Sequence, residues 1–350
     1  MDFKLTPQEE AFRDTLRRWL EVNAPGDWAK LRQRFSTRDE QIAFLRDWQR
    51  RLYEAGYVGL HWPKEYGGRG ATIMEQAIFC EEMARARAPE LPNAIGLDMA
   101  GPAIIRHGTE AQKRRYLRKI LSGEEIWCQG FSEPNAGSDL AAVETRAERR
   151  NGTFVVNGQK VWTSFAHYAQ WCILLARTDP KAPKHKGLTY FLVDMRTPGV
   201  TVKPLRQLNG DAEFNELYLE NVEVPVENVL GQVHEGWSVA ITTLMFERGP
   251  RTLSRQLVLR QAIDAAIELA RRLERDGRKL ATDPLIRQRL AQFVIDCQAL
   301  RYSTLRTLTR LLRGEPPGPE GSASKLFWSE TWQRLLELIL ELEGPHALLW

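Results

Sequence analysis

The sequence predicts an α+β protein in three consecutive parts: an N-terminal helical domain over residues 1–125, a middle antiparallel β domain of barrel-like character over 126–232, and a C-terminal helical domain over 233–350. Two observations carry this expectation. Apolar residues recur at helical spacing up to about residue 122, alternate every second residue from about 126, and return to helical spacing after Gly231. Glycine and proline gather at the breaks, as in Tyr66-Gly-Gly-Arg-Gly70, Pro89-Glu-Leu-Pro92 and Gly314-Glu-Pro-Pro-Gly-Pro319. With 350 residues, 43% hydrophobic and 27% charged, the chain is long enough to bury a core in two or three layers or domains.

Thr6-Pro7-Gln8-Glu9 has the form of a capping box with proline at the first helical position, and Phe12, Leu16, Trp19 and Leu20 follow on one face. An amphipathic helix should therefore open the chain. Further helical patterns cover residues 40–55, 72–88, 97–107 and 110–121. In the middle part, strands are expected at Phe154-Val-Val, Val161-Trp-Thr, Trp171-Cys-Ile-Leu-Leu, Leu188-Thr-Tyr-Phe-Leu-Val and Leu217-Tyr-Leu. Asn157-Gly158 predicts a hairpin turn, because a type I′ turn needs positive φ at both central residues. Long helices are then expected over 236–274, 284–313 and 322–343. There is no internal repeat.

Charge and composition narrow the function. Forty-nine Lys and Arg against 45 acids leave a net charge of +4, too mild to argue for a nucleic-acid partner. Cys80, Cys128, Cys172 and Cys297 are far apart and lack metal-ligand spacing, so they read as reduced, buried thiols with no metal and no disulfide. The acidic start is unlike a signal or transit peptide. No run approaches the ~20 apolar residues that a bilayer span needs. A cytoplasmic protein without a membrane partner is the expectation.

Two motifs bring the sequence close to a known family. Trp127-Cys-Gln-Gly-Phe-Ser-Glu-Pro-Asn-Ala-Gly-Ser-Asp-Leu140 resembles the signature of the flavin-dependent acyl-CoA dehydrogenases, and Asn157-Gly-Gln-Lys-Val-Trp-Thr-Ser164 resembles that family's next motif at the expected distance. Trp62-Pro-Lys-Glu-Tyr-Gly-Gly68, Gly108-Thr-Glu-Ala-Gln-Lys113 and Val224-Pro-Val-Glu-Asn-Val-Leu-Gly231 fit the same family. The resemblance runs from the first helix to at least residue 260. It implies an acyl-CoA dehydrogenase-like fold and an enzyme that converts an acyl-CoA thioester to the trans-2-enoyl-CoA. It further implies FAD as cofactor and an electron-transferring flavoprotein as electron acceptor.

Such chemistry needs a base for the α-proton, a hydride acceptor facing the β-carbon, and donors for the charge that develops on the thioester carbonyl. By resemblance, Ser132 and Ser164 supply hydroxyls to the flavin ring, Trp162 packs against it, and Gly130 and Phe131 present backbone groups beside Ser132. Without that motif, Trp162 would read as a core aromatic on a strand. Ser138 matches a position that meets the substrate's pantetheine or phosphate end, with a turn serine as the alternative. Glu247 matches one of the family's two sites for the base. It follows the apolar run Leu244-Met-Phe246, which would desolvate the carboxylate and raise its pKa. Arg248 is then a candidate for support of the substrate site, and Arg278 matches the family arginine that reaches the FAD diphosphate of a neighbouring subunit.

The sequence departs from the family pattern at two places. Arg278-Lys-Leu-Ala-Thr-Asp-Pro284 lacks the Phe-Gly expected there, and Arg289 takes the position of a glutamine. The chain stops at Trp350, where relatives carry a further helical segment with a flavin contact. The resemblance implies a dimer or tetramer, homo- or hetero-oligomeric, and these departures point to a mixed oligomer in which an unlike subunit completes or omits half the cofactor sites. Some bacterial relatives acting on bulky or steroid side-chain thioesters are built this way, and Arg177-Thr-Asp-Pro180 and His185-Lys-Gly187 are similar to that branch. A subunit with little activity alone, or a DNA-binding relative of the fold, are the competing expectations.

Overall fold

The structure is a computed structural model that describes residues 4–247, 255–315 and 320–349, without the side chains of Glu247 and Glu320. Helices α1 (Pro7–Asn23), α2 (Trp28–Leu31), α3 (Arg38–Glu54), α4 (Ile73–Arg85), α5 (Gly101–His107) and α6 (Glu110–Ser122) come first. Capping boxes start four of them. At α1 the Thr6 hydroxyl accepts the Glu9 N–H while Glu9 accepts the Thr6 N–H at 2.7 Å, and Thr37 with Glu40, Thr72 with Glu75 and Thr109 with Gln112 repeat the arrangement. A π-helical turn, Gly96–Ala100, leads into α5. Gly101, the first residue of α5, admits Trp62, whose Nε1 donates to the Leu97 carbonyl at 3.1 Å. A Cβ at Gly101 would lie 2.0 Å from that indole.

The sheet follows, as β1 (Trp127–Gly130), β2 (Arg146–Arg150), β3 (Thr153–Lys160), β4 (Trp171–Arg177), β5 (Leu188–Asp194), β6 (Val200–Leu205), β7 (Phe214–Pro225) and β8 (Val229–Leu230). Its order is β6-β7-β3-β2-β4-β5-β8, with β1 also on β4. Then come α7 (Gly236–Glu247), α8 (Arg255–Arg272), the small hairpin β9 (Glu274–Arg275) with β10 (Arg278–Lys279), α9 (Pro284–Leu312) and α10 (Glu320–Glu343). Among the described residues no helix is long and apolar enough to cross a membrane.

Three expectations need correction. The sheet is mixed: β1 and β2 run parallel to β4 while the other pairings are antiparallel. Asn157-Gly158 lies inside β3. The β2–β3 turn is Asn151-Gly152, with φ of 44° and 85°. Asn157-Gly158 instead forms a bulge against Asn221 of β7, where Asn157 Oδ1 accepts the Asn221 N–H at 2.8 Å. The bulge changes the inward parity of β7 from Leu217 and Leu219 to Val222 and Val224, all of which are buried. Val161-Trp-Thr163 is a loop rather than a strand. α7 and α8 both fall within the helix expected over 236–274, and its residues 248–254 lie outside the described residues.

The chain forms two compact units, each drawn from separate stretches of sequence. One contains residues 1–32, 71–88 and 250–350. Its core has helical spacing on all three long helices: Leu259, Ile263, Ala266 and Ala270 on α8, Leu290, Phe293, Cys297 and Leu300 on α9, and Leu335, Leu338 and Leu342 on α10. The other contains residues 33–70 and 89–249. There β4 and β5 are buried on both faces, which explains their continuous apolar runs. Asn93, fully buried, donates to the Ile120 and Glu125 carbonyls and accepts the Trp127 N–H at 2.9 Å, tying the helical layer to the first strand.

Candidate active site

The two sequence motifs meet in the unit that holds the sheet. The segment after β1 carries Phe131, Ser132 and Glu133, and the segment that ends β3 carries Lys160, Val161 and Trp162. Val161 donates its N–H to the Ser132 carbonyl at 2.9 Å. Lys160, fully buried, donates from Nζ to the Phe131 carbonyl at 3.0 Å and to Glu133 Oε1 at 2.8 Å. Glu133 also accepts the N–H groups of Glu144 at 2.7 Å and Thr145 at 2.9 Å. Burial opposes ionisation of Glu133, yet the Lys160 charge and the Glu144 N–H together hold its pKa below the ordinary carboxylate value. Burial likewise pushes the Lys160 ammonium down, against the pull of Glu133. The carboxylate is ionised and paired.

Trp162 projects from this junction. Its backbone is left-handed, with φ of 59°, and its side chain is 61% exposed, with one edge against the Phe214 ring at 5.8 Å. That degree of exposure is unusual for an indole in a well-packed β domain. Ser132 and Ser164, on either side in sequence, are half-buried, and neither hydroxyl has a hydrogen-bond partner among the described residues. The Thr163 hydroxyl is buried and also without a partner. The result is an exposed aromatic face flanked by free hydroxyls and backbone groups.

The remaining predicted residues fall as follows. Gly130 ends β1 and is buried, because a Cβ there would meet Cys172 Sγ and Leu174 at 3.0 Å. Ser138 lies on an exposed loop next to Asp139, which pairs with Lys184 at 2.9 Å. Glu247 is the last residue of α7. Its side chain and all of Arg248 lie outside the described residues. Met245 and Phe246, expected to desolvate Glu247, are themselves 60% and 39% exposed. Arg278 is exposed on the β9–β10 hairpin, at a turn made by Asp276 and Gly277 with φ of 52° and 73°. Arg289 of α9 pairs with Glu341 of α10.

A cleft of about 350 Å³ beside the start of α7 is lined by Arg106, His107, Gly231, Gln232, Glu235, Ser238 and Val239, and contains none of the candidate catalytic, cofactor or substrate residues read from the sequence. His107 Nε2 shares a hydrogen bond with Thr242 Oγ1 at 2.9 Å. Sequence inspection missed the Lys160–Glu133 pair as a unit, and it missed Asn215 beneath the tryptophan loop. Both acidic and basic partners stood inside the quoted motifs, but their separation of 27 positions hides their contact.

Three acyl-CoA dehydrogenase domain models match the chain: the N-terminal domain at residues 6–124, the middle domain at 128–222 and the C-terminal domain at 234–350. The chain belongs to the acyl-CoA dehydrogenase family. Like other acyl-CoA dehydrogenases it is an oxidoreductase with the helical, β and helical order of that fold. Acyl-CoA dehydrogenase IpdE1 of Mycolicibacterium smegmatis is 42% identical over 351 residues, covering 97% of this chain and 87% of that protein. The structure of the Tcur3481-Tcur3483 steroid ACAD superposes with a TM-score of 0.85 at 30% identity, covering 99% of this chain and 87% of that one. The ChsE4-ChsE5 complex from Mycobacterium tuberculosis matches with a TM-score of 0.81 at 30% identity, covering 100% and 88%. The chain is thus similar to acyl-CoA dehydrogenases of bacteria, and to a structure described as a steroid ACAD.

Proposed function

We propose that the chain binds FAD at the Ser132–Trp162–Ser164 junction and oxidises an acyl-CoA thioester to its trans-2-enoyl-CoA. The observation that carries this is the exposed Trp162 indole, held on strained backbone beside hydroxyls with no partner among the described residues. That donor set suits a flat, polar-edged ring such as isoalloxazine. When bound, FAD supplies the hydride acceptor at N5. Trp162 would cover one face of the ring and exclude water from it, while Ser132 and Ser164 would donate to its polar edge. Glu247 would take the α-proton, Ser138 would meet the coenzyme A end, and Arg248 would support the substrate site. Arg278 would reach a diphosphate across a subunit boundary. Electrons would leave to an electron-transferring flavoprotein.

The substrate class we propose is a bulky, ring-bearing thioester, supported by the similarity to a structure described as a steroid ACAD. A mixed oligomer is supported by Arg289, which occupies the family's glutamine position and is committed to Glu341 within its own bundle.

The test is the visible spectrum of the purified protein during anaerobic addition of straight, branched and steroid-side-chain acyl-CoAs. Bleaching by the ring-bearing class is expected, and Glu247→Gln should slow it about 10²- to 10⁴-fold while flavin stays bound. Co-expression with a neighbouring dehydrogenase-like subunit should raise the flavin content. Protein that takes up no FAD, alone or with such a partner, overturns the proposal.

A further inference from the structure

We infer that Asn215 is a positioning residue: it fixes the backbone at Thr163 and thereby sets how the Trp162 indole faces the flavin. This rests on the FAD-binding proposal above. The loop that carries Trp162 has a second left-handed residue, Phe165, with φ of 57° against 59° at Trp162. For residues with a Cβ this conformation is sterically unfavourable. Such a loop keeps its shape only where the surroundings hold it.

The start of β7 does the holding. The Asn215 carbonyl accepts the Thr163 N–H at 3.0 Å, and Asn215 Nδ2 donates back to the Thr163 carbonyl at 2.8 Å. One residue thus satisfies both backbone polar groups of the residue next to Trp162. Two positions earlier, the Glu213 carbonyl accepts the Phe165 N–H at 2.7 Å and Asn215 Nδ2 at 3.2 Å. Between them, Phe214 stands edge-on to the Trp162 ring at 85°. Adjacent residues of one strand therefore grip the loop from both sides, Phe214 through the indole and Asn215 through the backbone.

The orientation of the Asn215 amide is itself determined. The side chain is fully buried, and one end of its amide faces two carbonyls, of Thr163 and Glu213, which makes that end the donor Nδ2 and turns Oδ1 toward His167 Nδ1 at 2.9 Å. An aspartate of the same shape would set an oxygen against that carbonyl. The two acceptors would repel, and the loop would lose its anchor without any change in core volume.

A double-mutant cycle of Asn215→Asp and Trp162→Phe tests the inference, read as the FAD dissociation constant of stripped protein and the shape of the bound-flavin absorption bands. Asn215→Asp should weaken FAD about tenfold, roughly the loss of one net hydrogen bond, and should alter the bands while far-UV circular dichroism is unchanged. In the Trp162→Phe background the same substitution should matter less than about twofold, because its target is gone. Asn215→Ser replaces Asn215→Asp if the latter does not fold. Equal weakening in both backgrounds, or weaker binding with unaltered bands, would show a merely structural residue and overturn the inference alone. Wild-type protein that binds no FAD overturns the cofactor proposal and this inference together.

Discussion

Lys160 has no exposed surface, and its two hydrogen-bond partners, the Phe131 carbonyl and the Glu133 carboxylate, both belong to the first motif, with Glu133 in turn accepting the N–H groups of Glu144 and Thr145. Removing one member of such a pair leaves a buried charge alone. Lys160→Met is expected to cost about 3–5 kcal/mol in urea denaturation. It should also change the pH dependence. Because the folded pKa of Glu133 lies below its ordinary 4.5, its contribution is fully present above that value and is lost as pH falls through the depressed folded value. Without the ammonium the folded pKa rises, so acid unfolding of the variant should begin at a higher pH than in the wild type. Superimposable acid limbs would show that Lys160 does not set the carboxylate's state. At this scale Ser132, Trp162 and Ser164 were legible because they stand inside two recognisable motifs. The clamp formed by Asn215 was not, since nothing in the sequence near Phe214 signals a turn partner 52 residues away.

The elements were read largely from periodicity and caps, and the capping boxes show why that works: Thr-x-x-Glu or Gln satisfies its own helix end within four residues. Thr72→Ala should cost about 1 kcal/mol, measurable as a lower thermal midpoint. The two Asn-Gly pairs show where local rules stop. Both have the composition a type I′ turn favours, but only Asn151-Gly152 adopts positive φ at both residues and joins two paired strands. At Gly158 the constraint is close approach, since a Cβ there would meet Thr145 Oγ1 at 2.5 Å, whereas nothing lies within 4 Å of a Cβ at Gly152. Gly158→Ala is therefore expected to cost about 1–3 kcal/mol, and Gly152→Ala about 1 kcal/mol from its positive φ alone. Paired denaturation curves with the reverse order would contradict the assignment of bulge and turn. Val161-Trp-Thr163 reads as a strand by composition, but Trp162 adopts positive φ because the backbone is anchored on both sides to Ser132 and Asn215.

Across the whole molecule, chain order and compactness part company. Residues 1–32 and 71–88 group with the C-terminal helices, while 33–70 group with the sheet. The bundle's apolar faces at Leu335, Leu338 and Leu342 are buried to 4% exposure or less. Leu338→Ala should cost about 2–5 kcal/mol and appear as faster amide exchange in α8, α9 and α10; unchanged exchange there would place the bundle core elsewhere. The sequence by itself determined the order of helical, β and helical parts, the helix starts and the location of the two motifs, because periodicity, caps and motif chemistry act over a few neighbouring residues. Tertiary structure alone decided the parallel pairings of β1 and β2, the parity change at the bulge, the burial of Lys160 against Glu133 and the grip of Asn215 on the Trp162 loop. Each of those depends on contacts between residues far apart in the chain, whose partners are selected by packing of the whole unit rather than by any local preference.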